Sequence, residues 1–284
     1  MPAEIRPLAP GLYLVATPIG NARDVTLRAL DILASADVIA AEDTRTTRKL
    51  MDIHGIRLSD RPLIAYHDHN GPSVRPRLLE MIREGRSVAY ASDAGTPLVA
   101  DPGFVLTRET VAAGLPVTGA PGPSAALAAL SLSGLPSDRF LFAGFLPSAA
   151  GPRRAALTEL QDVPATLVLF ESPKRCSRTL MEMSDILGEE RQAALCRELT
   201  KKFEEVRRGS LAELAAGVSD DPPRGEVVLV VDRNRAAASA EDMEAALKEA
   251  LQTMRVKDAA NSVAEAFGLP KREVYQAALR LGEM

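Results

Sequence analysis

Residues 87–103, SVAYASDAGTPLVADPG, constrain the fold of this chain more than any other stretch. The stretch begins with an apolar run, residues 88–91, of the kind that forms a buried strand of a parallel sheet. The next twelve residues are crowded with serine, aspartate, glycine and proline. Glycine and proline break both helices and strands, so a loop is predicted there. An amphipathic run after Pro102 predicts a helix. The loop therefore lies at the carboxyl end of a strand, where α/β proteins bind small molecules. The alternative is an ordinary long connection.

The same order of strand, loop and helix recurs along the chain. Strands are predicted at residues 12–16, 38–41, 63–66 and 116–119, and Pro/Gly-rich loops follow the first and the last of them. This alternation is typical of a parallel sheet with helices packed around it. Residues 145–152, FLPSAAGP, are predicted to be a linker, beyond which strands are expected at residues 166–170, 193–196, 204–209 and 226–231.

The end of the chain has a different character. Three helical stretches are predicted from about residue 239, and the last two, joined by Gly268, Leu269 and Pro270, resemble a helix-turn-helix. We therefore predict two α/β domains, residues 1–146 and 147–236, and a small helical domain, residues 237–284.

Composition narrows the functional classes. Hydrophobic residues make up 46% and charged residues 25% of the 284-residue chain, which is typical of a globular protein. The formal net charge of −4 gives no general attraction to nucleic acid or membranes, so any RNA binding requires a local patch. Cys176 and Cys196 have no metal or redox spacing and are expected to be reduced thiols of a cytoplasmic protein. No signal peptide or membrane-spanning stretch is apparent.

Several common sites are not supported by the sequence. No Walker loop, dinucleotide-binding glycine pattern or GxSxG motif is present. His67 and His69 flank Asp68, but no third metal ligand is evident, so they are interpreted as polar turn residues. No metal site is predicted.

Charged clusters follow several of the predicted strands. They are Glu42, Asp43 and Arg45; then Glu171, Lys174 and Arg175; then Arg197, Glu198, Lys201 and Lys202. Each cluster taken alone fits a solvated helix start, where a carboxylate is favoured by the helix dipole. Together they place acids and cations at the same end of two sheets. If these sheet ends face each other across a cleft, its carboxylates are suited to deprotonate a hydroxyl and its cations to hold phosphates.

Longer strings carry a family resemblance. LVATPIGN (residues 14–21), AAEDTR (40–45), SDAGTPLVADPG (92–103), GLPSDRF (134–140) and RELTK (197–201) resemble the 16S ribosomal RNA cytidine 2′-O-methyltransferases of the tetrapyrrole-methylase superfamily. The resemblance spans residues 12–232, and the helical tail is similar to that family's C-terminal extension. It implies S-adenosylmethionine bound in a cleft between two α/β domains, a homodimer, and a decoding-centre cytidine of 16S rRNA or the small subunit as substrate.

The resemblance also implies roles for individual residues. The donor-binding residues would be Pro18, Asp93, Gly95, Thr96, Val99, Ser124, Ala125, Phe170 and Leu199. We expect Glu171 or Glu42 to accept the hydroxyl proton, and Lys201 or Lys174 to stabilise the developing alkoxide. Lys174 departs from the family, in which a histidine often stands at this position.

RNA phosphates would be held by Arg45, Arg175 and Arg197, and rRNA by Lys257, Lys271 and Arg272 of the tail. A packing or dimerisation role for the tail is the alternative. Two other functions are weighed against this one. The first is a tetrapyrrole C-methyltransferase with the same donor site, and the second is a non-catalytic nucleic-acid-binding module built on the tail.

Overall fold

The first sheet lies in the N-terminal half of the chain. A computed structural model describes residues 3–67, 69–100, 103–234, 240–267 and 269–282. The first sheet has the parallel strand order β3-β2-β4-β1-β5. Its strands are β1 (Gly11–Val15), β2 (Val38–Ala41), β3 (Leu63–Ala65), β4 (Ser87–Ala91) and β5 (Val117–Ala120). The strand β1 lies between β4 and β5, so the loops after these three strands meet at one edge.

Helices cover both faces of this sheet. They are α1 (Leu27–Ser35), α2 (Thr44–Ile53), α3 (Gly71–Arg83) and α4 (Phe104–Ala112). On β4, Ala89 and Ala91 face the core of α1 and α2, while Val88 and Tyr90 face that of α3 and α4. Burial on both faces explains why the strand is a continuous apolar run.

The second sheet is mixed, with the order β6-β7-β10-β8-β9. Its strands are β6 (Phe140–Phe145), β7 (Thr166–Glu171), β8 (Gln192–Arg197), β9 (Glu205–Ser210) and β10 (Val227–Val231). Strand β10 runs antiparallel to β7 and β8, and Val227 pairs with both Glu171 and Arg197. The ends of β7 and β8 and the start of β10 therefore share one edge.

Four helices cover the second sheet. They are α5 (Ala125–Ser133), α6 (Ala150–Leu160), α7 (Cys176–Leu187) and α8 (Leu211–Asp220). Helix α5 packs on one face through Ala126, Ala129 and Leu130, and the other three form the core of the opposite face. Helix α5 follows β5 of the first sheet and yet belongs to the second core.

The predicted linker at residues 145–152 is wrong. Phe145 ends β6 and Ala150 begins α6, and β6 already pairs with β7, so the chain changes sheets between residues 121 and 139. The small residues of FLPSAAGP suggest a linker, but Ala149 and Ala150 start a helix. A domain division at residue 146 therefore does not coincide with the change of sheet. The other predicted strands agree with the structure to within about one residue at each end.

The tail folds around its own core. Helices α9 (Ala240–Leu251), α10 (Val256–Phe267) and α11 (Lys271–Gly282) bury an apolar cluster that includes Leu247, Val263 and Val274. Asp68, Pro102 and Gly268, which were named above on sequence grounds, lie outside the described residues, as does Asp101 of the quoted stretch 87–103. In the part of the chain that the structure describes, no helix is long and apolar enough to cross a membrane.

Candidate active site between the two sheets

The two sheet edges enclose a cavity of about 390 Å³. The first sheet contributes the loops after β1, β4 and β5, and the second contributes the ends of β7 and the start of β10. The volume lies in the range of about 300–1,000 Å³ that is usual for small-molecule sites. Lining residues from the first lobe include Ile19, Gly95, Thr96, Val99, Ser124 and Ala125; those from the second include Phe145, Phe170 and Val228.

The loop after β4 is tied to its neighbours through main-chain atoms. Thr17 and Gly95 form an isolated bridge in which each amide donates to the other's carbonyl, at 2.9 and 3.0 Å. The Ser92 hydroxyl donates to the Gly95 carbonyl at 2.8 Å, and the Thr96 hydroxyl donates to the Pro123 carbonyl at 2.9 Å. Gly95 has a φ of +86°, which only glycine adopts without strain. The three loops are thus held at fixed positions around the cavity.

Backbone strain is concentrated on the two loops that border the cleft. Leu98 and Ala100 in the loop after β4 have φ values of +71° and +60°. Glu198 and Thr200 in the loop after β8 have values of +49° and +65°. A left-handed non-glycine residue costs about 1–2 kcal/mol, and such residues cluster at functional sites. Both loops are therefore candidate functional segments.

The second lobe supplies an apolar wall. The ring of Phe170 lies edge-on to Phe142 and Phe145, with centroid distances of 5.0 and 5.5 Å. Leu199 is buried in the same cluster as Ile19, beneath the cavity rather than on its surface. This wall excludes water from one side of the cavity.

The carboxylate of Glu171 is fully engaged in the structure. Its Oε1 accepts from the Ser172 amide at 2.6 Å and from Arg175 Nε at 2.7 Å, and its Oε2 accepts from the Thr179 hydroxyl at 2.6 Å. The side chain is 1% exposed. This geometry suits a group that fixes the turn after β7 and holds Phe170 in place. Glu171 also lines the cavity, so its role as proton acceptor stays a prediction.

Lys201 is held between two carboxylates. Its Nζ lies 2.8 Å from Glu198 Oε1 and 3.0 Å from Glu226 Oε2. Burial opposes the charge of Lys201, but the hydrogen bonds to these carboxylates outweigh it and raise the pKa of the amine. The Lys201 side chain and the Glu226 amide lower the pKa of Glu198 through hydrogen bonds. A fixed positive charge therefore lies beside Glu226, which lines the cavity.

A second acidic group lies at the edge of the first sheet. The Asp43 amide donates to Asp93 Oδ1 at 2.9 Å, and the Asp93 amide donates to Glu42 Oε2 at 3.3 Å. Asp43 begins α2 as its N-cap, and hydrogen bonds from the Arg45 side chain and amide lower the pKa of Asp43 to about 2. Glu42 is partly exposed and adjoins the loop after β4.

The structure brings together most of the predicted donor-binding residues. Gly95, Thr96, Val99, Ser124, Ala125 and Phe170 line the cavity. Pro18 and Asp93 line a smaller neighbouring pocket, and Leu199 lies in the core below.

The predicted phosphate-binding cations differ in their exposure and in their ion pairs. Arg175 and Arg197 pair with Glu171 and Glu205 at 2.6 Å, so their charges are largely used within the protein. The side chain of Arg45 is 89% exposed although it pairs with Asp43. Lys174 and the tail cations Lys257, Lys271 and Arg272 are exposed.

Part of the lining was not predicted from the sequence. Ile19 lies within the first quoted string, but nothing in its spacing shows that it faces the cavity. The turn before β10, which contributes Gly225 and Glu226, was also missed. Its signal is the glycine shortly before a buried strand: Gly225 has a φ of +83°, and a Cβ there would collide with the Glu198 side chain.

Comparisons with known proteins agree with this architecture. The family model of tetrapyrrole (corrin/porphyrin) methylases matches residues 11–215, and that of the RsmI C-terminal HTH domain matches residues 237–282. A ribosomal RNA small subunit methyltransferase I from Mesorhizobium japonicum is 50% identical over 97% of this chain and 94% of its own length. The protein of that name from Escherichia coli O157:H7 is 44% identical, with 94% of each chain covered.

A solved structure shares the fold. Uroporphyrin-III C-methyl transferase from Thermus thermophilus, complexed with S-adenyl homocysteine, is 22% identical with a TM-score of 0.54. The match covers 78% of this chain and 97% of that one. The fold of the two α/β lobes is thus that of the matched family, while a part of this chain has no counterpart in that enzyme.

Proposed function

The chain belongs to the tetrapyrrole (corrin/porphyrin) methylase family and, within it, to the ribosomal RNA small subunit methyltransferases I, and from this premise we propose that it methylates the ribose 2′-oxygen of a cytidine in 16S ribosomal RNA. The observation that carries the proposal is the extent of the relationship. The methyltransferase I relative matches 97% of this chain, whereas the uroporphyrin enzyme matches 78%. The relationship to the former includes the tail, which lies outside the residues that the family model of tetrapyrrole methylases matches.

The proposed methyl donor is S-adenosylmethionine, which when bound supplies an electrophilic methyl group. The main cavity fits this ligand in size and chemistry. Its volume of about 390 Å³ suits a folded nucleoside with an amino-acid chain, and Phe170 and Val228 give apolar contact for an adenine. Gly95 lets the main chain approach closely, and a Cβ there would meet Ile19 Cγ2 at 3.3 Å.

The chain's own part in the reaction is chiefly positioning. The bridge between Thr17 and Gly95 and the bond from Thr96 to Pro123 fix the loops that orient donor and acceptor. Holding two reactants in attack geometry, about 3–3.5 Å apart, removes much of the barrier. The aromatic wall around Phe170 excludes water, which would otherwise solvate the charges that change during transfer.

We assign the proton acceptor to Glu42 rather than Glu171. Both oxygens of Glu171 are occupied by donors from the protein, and its side chain is 1% exposed. Glu42 is partly exposed and lies against the loop that borders the donor cavity. A carboxylate in this position can take the 2′-hydroxyl proton onto an Oε atom as the oxygen attacks.

Cations complete the proposed site. In this proposal Lys201, whose amine is held by Glu198 and Glu226, would stabilise negative charge that develops at the cleft. Arg45 and the tail cations Lys257, Lys271 and Arg272 are exposed and would contact RNA phosphates. We further propose a homodimer acting in the cytoplasm on 16S rRNA or the small subunit.

Calorimetry and methyl transfer test this function. We expect the protein to bind S-adenosylmethionine and to methylate small subunits from cells that lack the modification, with the methyl group mapped to a cytidine 2′-oxygen. Transfer to a uroporphyrinogen instead would establish the tetrapyrrole alternative. The absence of any donor binding would leave only a nucleic-acid-binding role.

A further inference from the structure

A second cavity lies on the other side of the loops after β1 and β4 from the donor cavity. We call it the threonine pocket; it has a volume of about 140 Å³, and its lining includes Thr17, Pro18, Thr47, Leu50, Ile53 and Asp93. We propose that the threonine pocket receives the base of the target nucleotide, drawn out of its stack. This inference rests on the proposed function, because it concerns how that RNA substrate is bound.

The hydroxyl of Thr47 is the observation that points to a ligand. Thr47 is 1% exposed, and its Oγ1 has no hydrogen-bond partner among the described residues. Its amide already donates to the Asp43 carbonyl at 3.2 Å, as helix α2 requires. Buried hydroxyls are normally hydrogen-bonded. A bound group with a complementary polar edge would satisfy this one.

The remaining walls fit a flat heterocycle. Pro18, Leu50 and Ile53 are apolar, and Ile53 is 56% exposed although it lines the pocket. Their surfaces suit the faces of a ring, while Thr47 and Asp93 offer polar groups to its edge. The volume of about 140 Å³ holds one base but not a whole nucleotide with its phosphate.

The polar edge suits cytosine in particular. Asp93 Oδ1 accepts the Asp43 amide at 2.9 Å, and a carboxylate has about four acceptor sites, so capacity remains for a ligand. Carboxylates accept from the exocyclic amino group of cytosine. The Thr47 hydroxyl can donate to a ring acceptor of the same base. Uracil would instead direct its O4 at the carboxylate, which is repulsive.

The position of the pocket suits transfer to the attached ribose. In the loop after β1, Pro18 lines the threonine pocket and the next residue, Ile19, lines the donor cavity. In the loop after β4, Asp93 lines the threonine pocket and the next residue, Ala94, lines the donor cavity. One layer of backbone, bridged between Thr17 and Gly95, therefore separates the two cavities. A base in one and a donor in the other place the ribose at their shared rim.

Helix α2 carries the charges that such an RNA strand needs. Arg45, Arg48 and Lys49 lie on its first turns and are exposed, and Lys49 also lines the pocket. Contacts from such cations to phosphates fix the register of a nucleic acid. Sequence-specific RNA recognition mostly uses unpaired bases that are splayed out of the strand.

Removing the hydroxyl without changing the shape tests the proposal. We expect Thr47→Val to raise KM for unmodified small subunits about five- to tenfold and to leave the Kd for S-adenosylmethionine unchanged. The variant should melt no lower than the wild type, because the hydroxyl has no partner among the described residues of the unliganded protein. Thr47→Ser keeps the hydroxyl and should stay near the wild-type KM.

A second arm tests base selection. Once the methylated cytidine is mapped, subunits with uridine at that position should be poor substrates, and Asp93→Asn should reduce the preference for cytidine. A wild-type KM for Thr47→Val, or a loss confined to donor binding, would overturn the pocket assignment alone. A wild-type protein that does not methylate small subunits would overturn the proposed function and this inference together.

Discussion

Gly20 is a point at which the two lobes touch closely. It lies in the loop after β1, and a Cβ built there would collide with Lys201 Cγ, lie 2.8 Å from Thr200 Oγ1 and lie 3.1 Å from the Leu199 carbonyl oxygen. One of these atoms belongs to the backbone, and Lys201 Cγ lies near the root of its side chain. A Gly20→Ala substitution therefore forces the two loops apart rather than moving a free side-chain end.

The expected cost follows from these contacts. Overpacking of this kind costs about 1–3 kcal/mol. The hydrogen bond from the Asn21 amide to Thr200 Oγ1, at 3.1 Å, is weakened as well, which adds about 1 kcal/mol. Thr200 has a φ of +65°, so the loop after β8 has little freedom to relax. A total of about 2–4 kcal/mol corresponds to a fall in Tm of roughly 4–16 °C, at about 2–4 °C per kcal/mol for two lobes that unfold together.

Differential scanning calorimetry and titration with S-adenosylmethionine measure the two consequences. We expect a lower Tm and at least tenfold weaker donor binding, because displaced loops widen the cleft. Gly217→Ala is the matched control: Gly217 lies inside α8, and no atom lies within 4 Å of the place that an added methyl group would take, so alanine should stabilise by about 0.5–1 kcal/mol. If Gly20→Ala melts and binds donor like the wild type, the lobes do not meet as described.

Three further results are expected. Glu171→Gln should lower the free energy of unfolding by about 1–3 kcal/mol but leave the single-turnover rate at saturating donor nearly unchanged. Glu42→Gln should lower that rate about 100-fold with little change in Tm. The opposite pattern would make Glu171 the base. Because its pKa is lowered on folding, ionised Glu198 stabilises the protein above its ordinary value of 4.5, and this stabilisation is lost as the pH falls through the lowered value; the difference in Tm between wild type and Glu198→Gln should therefore shrink in acid. Burial raises the pKa of Cys176 to about 12 and of Cys196 to about 11, so neither thiol should react with a disulfide reagent at about pH 8 until the protein is unfolded; rapid labelling of the native protein would contradict their burial.

The strands were predictable because most are buried on both faces. A continuous apolar run such as that of β2 or β10 predicts a buried strand directly, and Pro/Gly-rich loops mark the ends of several strands. Strand β6 was missed because it is an edge strand with exposed ends and a shift of register between Phe142 and Gly144. Its sequence, FLFAGF, is an apolar run, but Gly144 interrupts it, and the small residues that follow it suggested a linker.

The site was predictable only in outline. Charged clusters at strand ends indicate a cleft, but they do not show how deeply each carboxylate is buried or which donors it accepts from. For Glu171 this depends on Arg175 and Thr179 turning back onto its carboxylate. Likewise, the bridge between Thr17 and Gly95 joins residues that are far apart in sequence. Local sequence patterns therefore could not predict the layer of backbone that separates the two cavities.

Helix α5 limits how this enzyme can admit its substrate. It starts after Ser124, directly beside the donor cavity, and its apolar face is embedded in the second core. The Pro123 carbonyl just before it accepts a hydrogen bond from the Thr96 hydroxyl, which lies in the loop after β4 of the same first lobe. A short segment therefore joins the anchored loops of the first lobe to a helix that is embedded in the core of the second lobe, which limits how far the lobes can separate at this corner. We therefore expect that much of the distortion in the proposed complex comes from the RNA, through the extension of a single nucleotide into the cleft.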